Sequence, residues 1–160
     1  MSGAGAFQAL AGYLFGGNEQ GVKLAMTTPV ISTSNAAGAR EKMSFVMPSG
    51  FWAEGALQTA PTPKGDAGVT LEPIDAGGLG MGGAEAVAVA WFGGFAGKAD
   101  VAARRQALLA RVEADSAWEA TVAKDTPPLL LQYNDPFTPP WKRRNELALP
   151  VRRANGDTHK

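Results

Sequence analysis

Apolar residues recur along the chain in two rhythms, one helical and one alternating. In residues 5–14, GAFQALAGYL, Phe7, Leu10, Ala11 and Leu14 fall at i, i+3, i+4 and i+7, one face of a short helix. Gly16-Gly17-Asn18 follows, and glycine supplies the left-handed conformation that closes a helix. Residues 22–32, VKLAMTTPVIS, alternate and are rich in β-branched side chains, which predicts a strand with an edge or bulge at Pro29. A turn over 35–40 leads to KMSFVMP (42–48), a strand with Met43, Phe45 and Met47 on one side. Strand methionines usually fill gaps in a core, the expectation for Met26, Met43 and Met47. Residues 49–68 predict a loop, and VTLEPI (69–74) a short strand.

Further on, EAVAVAWFGGF (85–95) alternates Val87, Val89 and Trp91, a strand. Residues 98–115 carry the strongest helical stripe, Val101, Leu108, Leu109 and Val112, with Arg104, Arg105 and Arg111 largely off it. Residues 118–128 are mixed. LLLQY (129–133) is a strand, NDPFTPPWKRR (134–144) a proline-stiffened loop, and NELALPV (145–151) the last strand. The second half thus reads strand, helix, strand, proline loop, strand. The first half reads helix, strand, strand, again with a proline between β segments. Two copies of one β-α-β-β unit result, with the leading strand of the first copy missing.

Between the halves lies AGGLGMGG (76–83), which contains a formal G-x-G-x-x-G in Gly78, Gly80 and Gly83. A dinucleotide fingerprint must open a helix, so that pyrophosphate meets the helix N-terminus. Here a strand pattern follows, and the lysine-hydroxyl pair of a P-loop is missing. The stretch therefore predicts a flexible link between half-repeats.

Charge and composition remove several function classes. A length of 160 residues suits one domain, expected over 1–153 with a flexible tail at 154–160. Lys plus Arg equals Asp plus Glu, so no global field draws the chain to nucleic acid or membrane. The balance is uneven: Lys142, Arg143, Arg144, Arg152, Arg153 and Lys160 face only Glu146 and Asp157 over residues 142–160. There is no cysteine, and the one histidine, His159, sits in a polar tail. A Cys/His zinc site and a catalytic triad with a positioned imidazole are excluded on these numbers. No apolar run is long enough to span a bilayer as a helix. The N-terminus lacks the basic start of a signal peptide, so the expectation is a soluble, intracellular protein.

One resemblance is specific. YLFGGNEQGVKLAMTTPV (13–30), KMSFVMP (42–48), APTP (60–63), VAWFGGFAGKAD (89–100) and YNDPFTPPWKRRNE (133–146) occur in the right order for the SOUL/haem-binding protein family, which the chain resembles. The resemblance implies an α+β fold: a distorted antiparallel β-barrel or paired sheet, two flanking helices and a pseudo-two-fold β-α-β-β duplication. It also implies reversible, non-covalent binding of haem or another tetrapyrrole, without catalysis. Three features depart from the family. Its opening strands have no counterpart ahead of Met1, which reads as an N-terminally shortened, plant- or algal-like member whose unpaired sheet edge invites a protein partner or self-association. The glycine link is longer. Near the position of a propionate-binding lysine this chain has Thr138, so Lys142 or Arg143 would substitute.

Haem is a flat apolar plate with carboxylates at one edge, so it needs an apolar slab and basic groups at the rim. By resemblance the slab is Phe7, Leu10, Ala11 and Leu14 on the first helix, with Phe137 and Trp141 on the proline loop and Lys142 and Arg143 at the rim. The competing expectation for Phe137 and Trp141 is a lid over the core. Axial ligands are poorly represented: His159 is close to the end, while Tyr13, Tyr133 and the methionines are chemically possible. A haem without a strong protein ligand is the expectation. Arg143-Arg144-Asn145-Glu146 is expected to form a structural charged corner. A tetrapyrrole carrier, a protein-interaction module on the same fold and, more remotely, a small-ligand enzyme remain open. The compartment, cytoplasm or plastid, is not resolved.

Overall fold

A computed structural model describes residues 3–34, 40–73, 84–135 and 137–154. The elements run α1 (Gly3–Leu14), β1 (Val30–Ser34), β2 (Arg40–Phe45), β3 (Ala86–Phe92), α2 (Lys98–Glu113), β4 (Trp118–Ala120), β5 (Leu129–Gln132) and β6 (Asn145–Arg153). The glycine segment 76–83 and His159 lie outside the described residues.

Glycine ends α1 as expected. Gly16 takes φ +101°, and Gly17 donates its N–H to Gly12 O at 2.7 Å. A Cβ on Gly17 would lie 2.6 Å from that same carbonyl oxygen, so only glycine fits this close return of the chain. Residues 22–29 do not form the expected strand. Lys23 makes one isolated bridge to Phe15, and the ladder begins at Val30, after Pro29 and its cis peptide bond. Proline has no N–H to donate to a ladder, which places the boundary there. Residues 69–73 are likewise not a strand; the segment is tied to β2 through the Lys42–Glu72 ion pair. Conversely, Trp118–Ala120 in the mixed stretch is a strand, paired antiparallel with Val151–Arg153 of β6.

All strand pairs are antiparallel, in the order β2-β1-β5-β6-β3, with β4 also beside β6. The sheet is open, correcting the barrel alternative: β2 and β3 are its two ends, and no strand joins them among the described residues. The duplication is visible in the pairing. Hairpin β1-β2 follows α1, hairpin β5-β6 follows α2, and β1 and β5 meet at the centre. In the second half β3 lies outside β6, whereas among the described residues nothing lies outside β2.

Both helices occupy one face. Directly paired residues share a face, and one row runs Phe45–Val30–Gln132–Asn145–Phe92 across the sheet. Phe7 of α1 meets Phe45 edge-on, ring centroids 5.6 Å apart. On the same face Leu108 of α2 packs with Phe92, Leu130, Leu147 and Leu149, flanked by Val101 and Leu109. Each such fully buried side chain contributes about 1.5–3 kcal/mol through apolar burial. The opposite face buries Ile31, Leu129 and Ala148, but leaves Val87, Val89 and Trp91 of β3 exposed.

Helix α2 forms where its stripe predicts. Asp100 in its first turn and Arg111 in its last complement the helix dipole. Two of its arginines do more than face solvent. Arg104 pairs with Asp100 at 3.0 Å and lies over the Phe92 ring at 4.6 Å; Arg105 donates to Thr126 O at 2.7 Å and to Lys124 O.

Candidate functional site

The row Phe45–Val30–Gln132–Asn145–Phe92 marks one end of the sheet. At that end β1 begins, β2 ends, β5 ends, β6 begins and β3 ends. The proline loop 134–144 springs from it, and α1 reaches it through Phe7 on Phe45.

The sequence-selected residues fall into two patches. On α1, Phe7, Leu10 and Ala11 are half-buried, and the helix carries no charged residue. Leu14 is 2% exposed, so it belongs to the core and has no surface to offer a ligand as the structure stands. On the loop, Phe137 is 94% and Trp141 80% exposed, which removes the lid expectation for both. Lys142 is exposed beside them, and Arg143 lies with its guanidinium 4.7 Å from the centre of the Phe95 ring. Helix α1 packs on β2 and makes no contact with the 140–142 turn. Three strand spacings separate β2 from β6, so the patches stand roughly 10–15 Å apart at one end of one sheet.

Hydrogen bonds fix the loop's shape. Asp135 accepts from the N–H of Phe137 at 2.8 Å and from the hydroxyl of Thr138 at 2.7 Å. These bonds, the Thr138 hydroxyl first, hold its carboxyl below the ordinary aspartate range. Arg143 Nε donates to Thr138 O at 2.8 Å, Arg144 N–H to Asn134 Oδ1 at 2.6 Å, and Gly94 N–H to Pro140 O at 3.2 Å. The last bond ties the loop to the Gly93–Phe95 turn and brings Phe95, 63% exposed, into the patch. Periodicity does not single out Phe95. Its signal is an aromatic residue among Gly93, Gly94 and Gly97, where it has no core to fill.

The Arg-Arg-Asn-Glu corner is structural, as expected. Arg144 pairs with Glu146 at 3.1 Å and stacks over Tyr133; Tyr133 OH donates to Glu146 Oε2 at 2.7 Å. Buried Asn145 donates to Phe92 O and Gly94 O, which holds the end of β3 in place.

A tetrapyrrole would find the right donor set here. Exposed aromatic rings suit the macrocycle, and Lys142 and Arg143 suit propionates. Both tyrosine hydroxyls are engaged in hydrogen bonds. Tyr13 is 3% exposed with its hydroxyl donated to Pro61 O at 2.7 Å, and burial pushes its phenol up. Tyr133 is pushed up by desolvation first and then by its bond to Glu146. Of the methionines, Met26 is 39% exposed and outside the core, against expectation, whereas Met43 and Met47 are half-buried. Among the described residues no three His, Cys, Asp or Glu side chains gather as a metal site. No helix among them is long and apolar enough to cross a membrane.

The geometry defines a class: an open α+β sheet with both helices on one face and an aromatic, cationic rim at one end. The family model described as SOUL heme-binding protein matches residues 1–150, and the chain belongs to that family. Membership supports haem or tetrapyrrole binding in general. No curated protein matches the chain.

Proposed function

We propose that this protein binds haem or a related tetrapyrrole reversibly and non-covalently, as a carrier or buffer and not as an enzyme. The carrying observation is the loop patch: Phe137 and Trp141 bare to solvent beside Lys142 and Arg143. Phe137, Trp141 and Phe95 would stack on the macrocycle, with Phe7, Leu10 and Ala11 of α1 as the second apolar wall. Lys142 and Arg143 would meet the propionates. Bound iron would supply the haem's own spectroscopy and redox chemistry, while the chain holds the ring and its carboxylates.

Without a strong axial ligand, affinity comes from the ring and the propionates. Haem and metal-free protoporphyrin should therefore bind within about tenfold of each other, or 1.4 kcal/mol. Absorbance and tryptophan-quenching titrations measure this. Phe137→Ala with Trp141→Ala should weaken both ligands at least tenfold, on the order of 1.4 kcal/mol or more. A sharp six-coordinate haem spectrum with no protoporphyrin binding would sink the non-ligated reading. Binding of neither ligand would sink the function.

A further inference from the structure

We propose that the tip of the proline loop docks on an anionic lipid bilayer. This goes beyond tetrapyrrole binding and does not rest on it.

The first observation is exposure. Phe137 and Trp141 are 94% and 80% exposed, the two largest exposures among the described large apolar side chains. Core packing explains neither. Phe95, 63% exposed, joins them through the Gly94–Pro140 hydrogen bond. Ring side chains of this kind settle at the boundary between water and acyl chains, and tryptophan prefers that depth.

The second observation is charge. Loop 134–144 holds Lys142, Arg143 and Arg144 against one acid, Asp135. Asp135 is exposed, its carboxylate accepting from Phe137 N–H and Thr138 Oγ1. Arg144 is paired with Glu146. Lys142 is exposed directly beside Trp141. A net positive collar behind aromatic tips complements a surface of anionic headgroups, although the chain as a whole is neutral.

The third is stiffness. Pro139 and Pro140 restrict the backbone, Thr138 N–H bonds Asp135 O at 3.2 Å, and Arg143 Nε bonds Thr138 O at 2.8 Å. Little ordering entropy remains to be lost when the tip inserts. A protein partner is the less fitting occupant. A stable interface uses about 20–30 residues a side, and one loop of this size with a neighbouring turn falls short. A bilayer needs only the tips.

The test is flotation of the full chain with vesicles of phosphatidylcholine alone and of phosphatidylcholine mixed with phosphatidylglycerol. Wild type is expected to float with the mixed vesicles and to be released by added salt, since the collar acts through screened charge. Phe137→Ser with Trp141→Ser should cut partitioning more than about tenfold, and Lys142→Glu roughly five- to tenfold. Melting temperature is measured alongside; should the double variant melt early, the single variants Trp141→Ser and Lys142→Glu carry the test. Failure of wild type to float, equal binding to both vesicle types, or flotation that survives loss of both rings overturns the proposal. Haem titration in vesicle-free solution separates the two readings. Haem binding without flotation removes only the bilayer, and flotation without haem binding removes only the carrier.

Discussion

The two helix-hairpin halves share a plan but are held together by different forces. In the second half α2 sits on an apolar interface of Phe92, Leu108, Leu130, Leu147 and Leu149. In the first half α1 touches its sheet through Phe7 on Phe45, and its far end is fastened by a polar latch. Tyr13 OH donates to Pro61 O, Glu19 N–H to Thr62 O, and Gln20 accepts from Thr62 N–H at 2.8 Å. Asn18, 2% exposed, completes the latch by donating to Tyr13 O and Val22 O and accepting from Val22 N–H. Apolar burial fixes α2 through Leu108 and Val112. A latch fixes α1, so much of its uncharged surface stays half-exposed at the end where the loop patch lies. Of the two helices, the latched one is the one with no charged residue along its length.

The comparison can be broken most forcefully in the second half. Leu147 is completely buried at the centre of that core. Leu147→Ala should cost about 3–5 kcal/mol by lost transfer energy and a cavity, measured by denaturant unfolding. A loss below about 1.5 kcal/mol would mean that the apolar interface does not hold the half together.

Asn18→Ala tests the latch. It removes the bonds to Tyr13 O, Val22 O and Val22 N–H from a side chain that is itself buried, so about 2–3 kcal/mol should be lost. Hydrogen exchange should show α1 opening ahead of α2, since the substitution leaves the Leu147 core intact. Equal acceleration in both helices would show that the halves are not separately secured.

Ser32→Ala goes the other way. Ser32 lies on the helix-bearing face of β1, 2% exposed, and its Oγ has no hydrogen-bond partner. Removing a buried unpaired hydroxyl should stabilise the protein by about 1 kcal/mol. A destabilised Ser32→Ala variant would reveal a partner for that hydroxyl and place a polar contact in the first half's sheet.

Much of this architecture is legible in the residues. The stripe Val101, Leu108, Leu109 and Val112 locates α2, and alternation at Val87, Val89 and Trp91 locates β3, because both patterns are long relative to their period. Shorter signals mislead. VKLAMTTPVIS alternates as well as β3 does, yet Pro29 and the turn tied by Asn18 hold 22–29 out of the sheet. Trp118–Ala120 is too short to show a period, and it is a strand only because β6 runs on past β5 to Arg153. For the candidate site, Phe137, Trp141, Lys142 and Arg143 are visible as an aromatic and basic run in a proline loop. Leu14 and Phe95 are not, since burial of one and exposure of the other depend on tertiary contacts with no period in sequence. The latch is hidden for the same reason. Tyr13 and Pro61 are far apart in the chain, and the hydrogen bond between them follows from the folded path alone.

The smallest expected effect concerns the loop. Asp135 is the group whose ionisation organises the tip, through the Thr138 hydroxyl and the Phe137 N–H. Its folded pKa is depressed, so the stabilisation is present above the ordinary aspartate pKa and is lost as pH falls through the lowered folded value. Solvent surrounds the carboxylate, so the change should remain local and leave the melting transition nearly unmoved. The Phe137 amide proton reports it: its shift should move with a midpoint below the ordinary aspartate range, and Asp135→Asn should abolish that titration. A midpoint at the ordinary value would mean that the two donors do not hold the carboxylate in solution. The aromatic tip would then lack the rigid turn that both the tetrapyrrole and the bilayer readings use, and the loop would resemble the half-exposed surface of α1 more than the ordered core of α2.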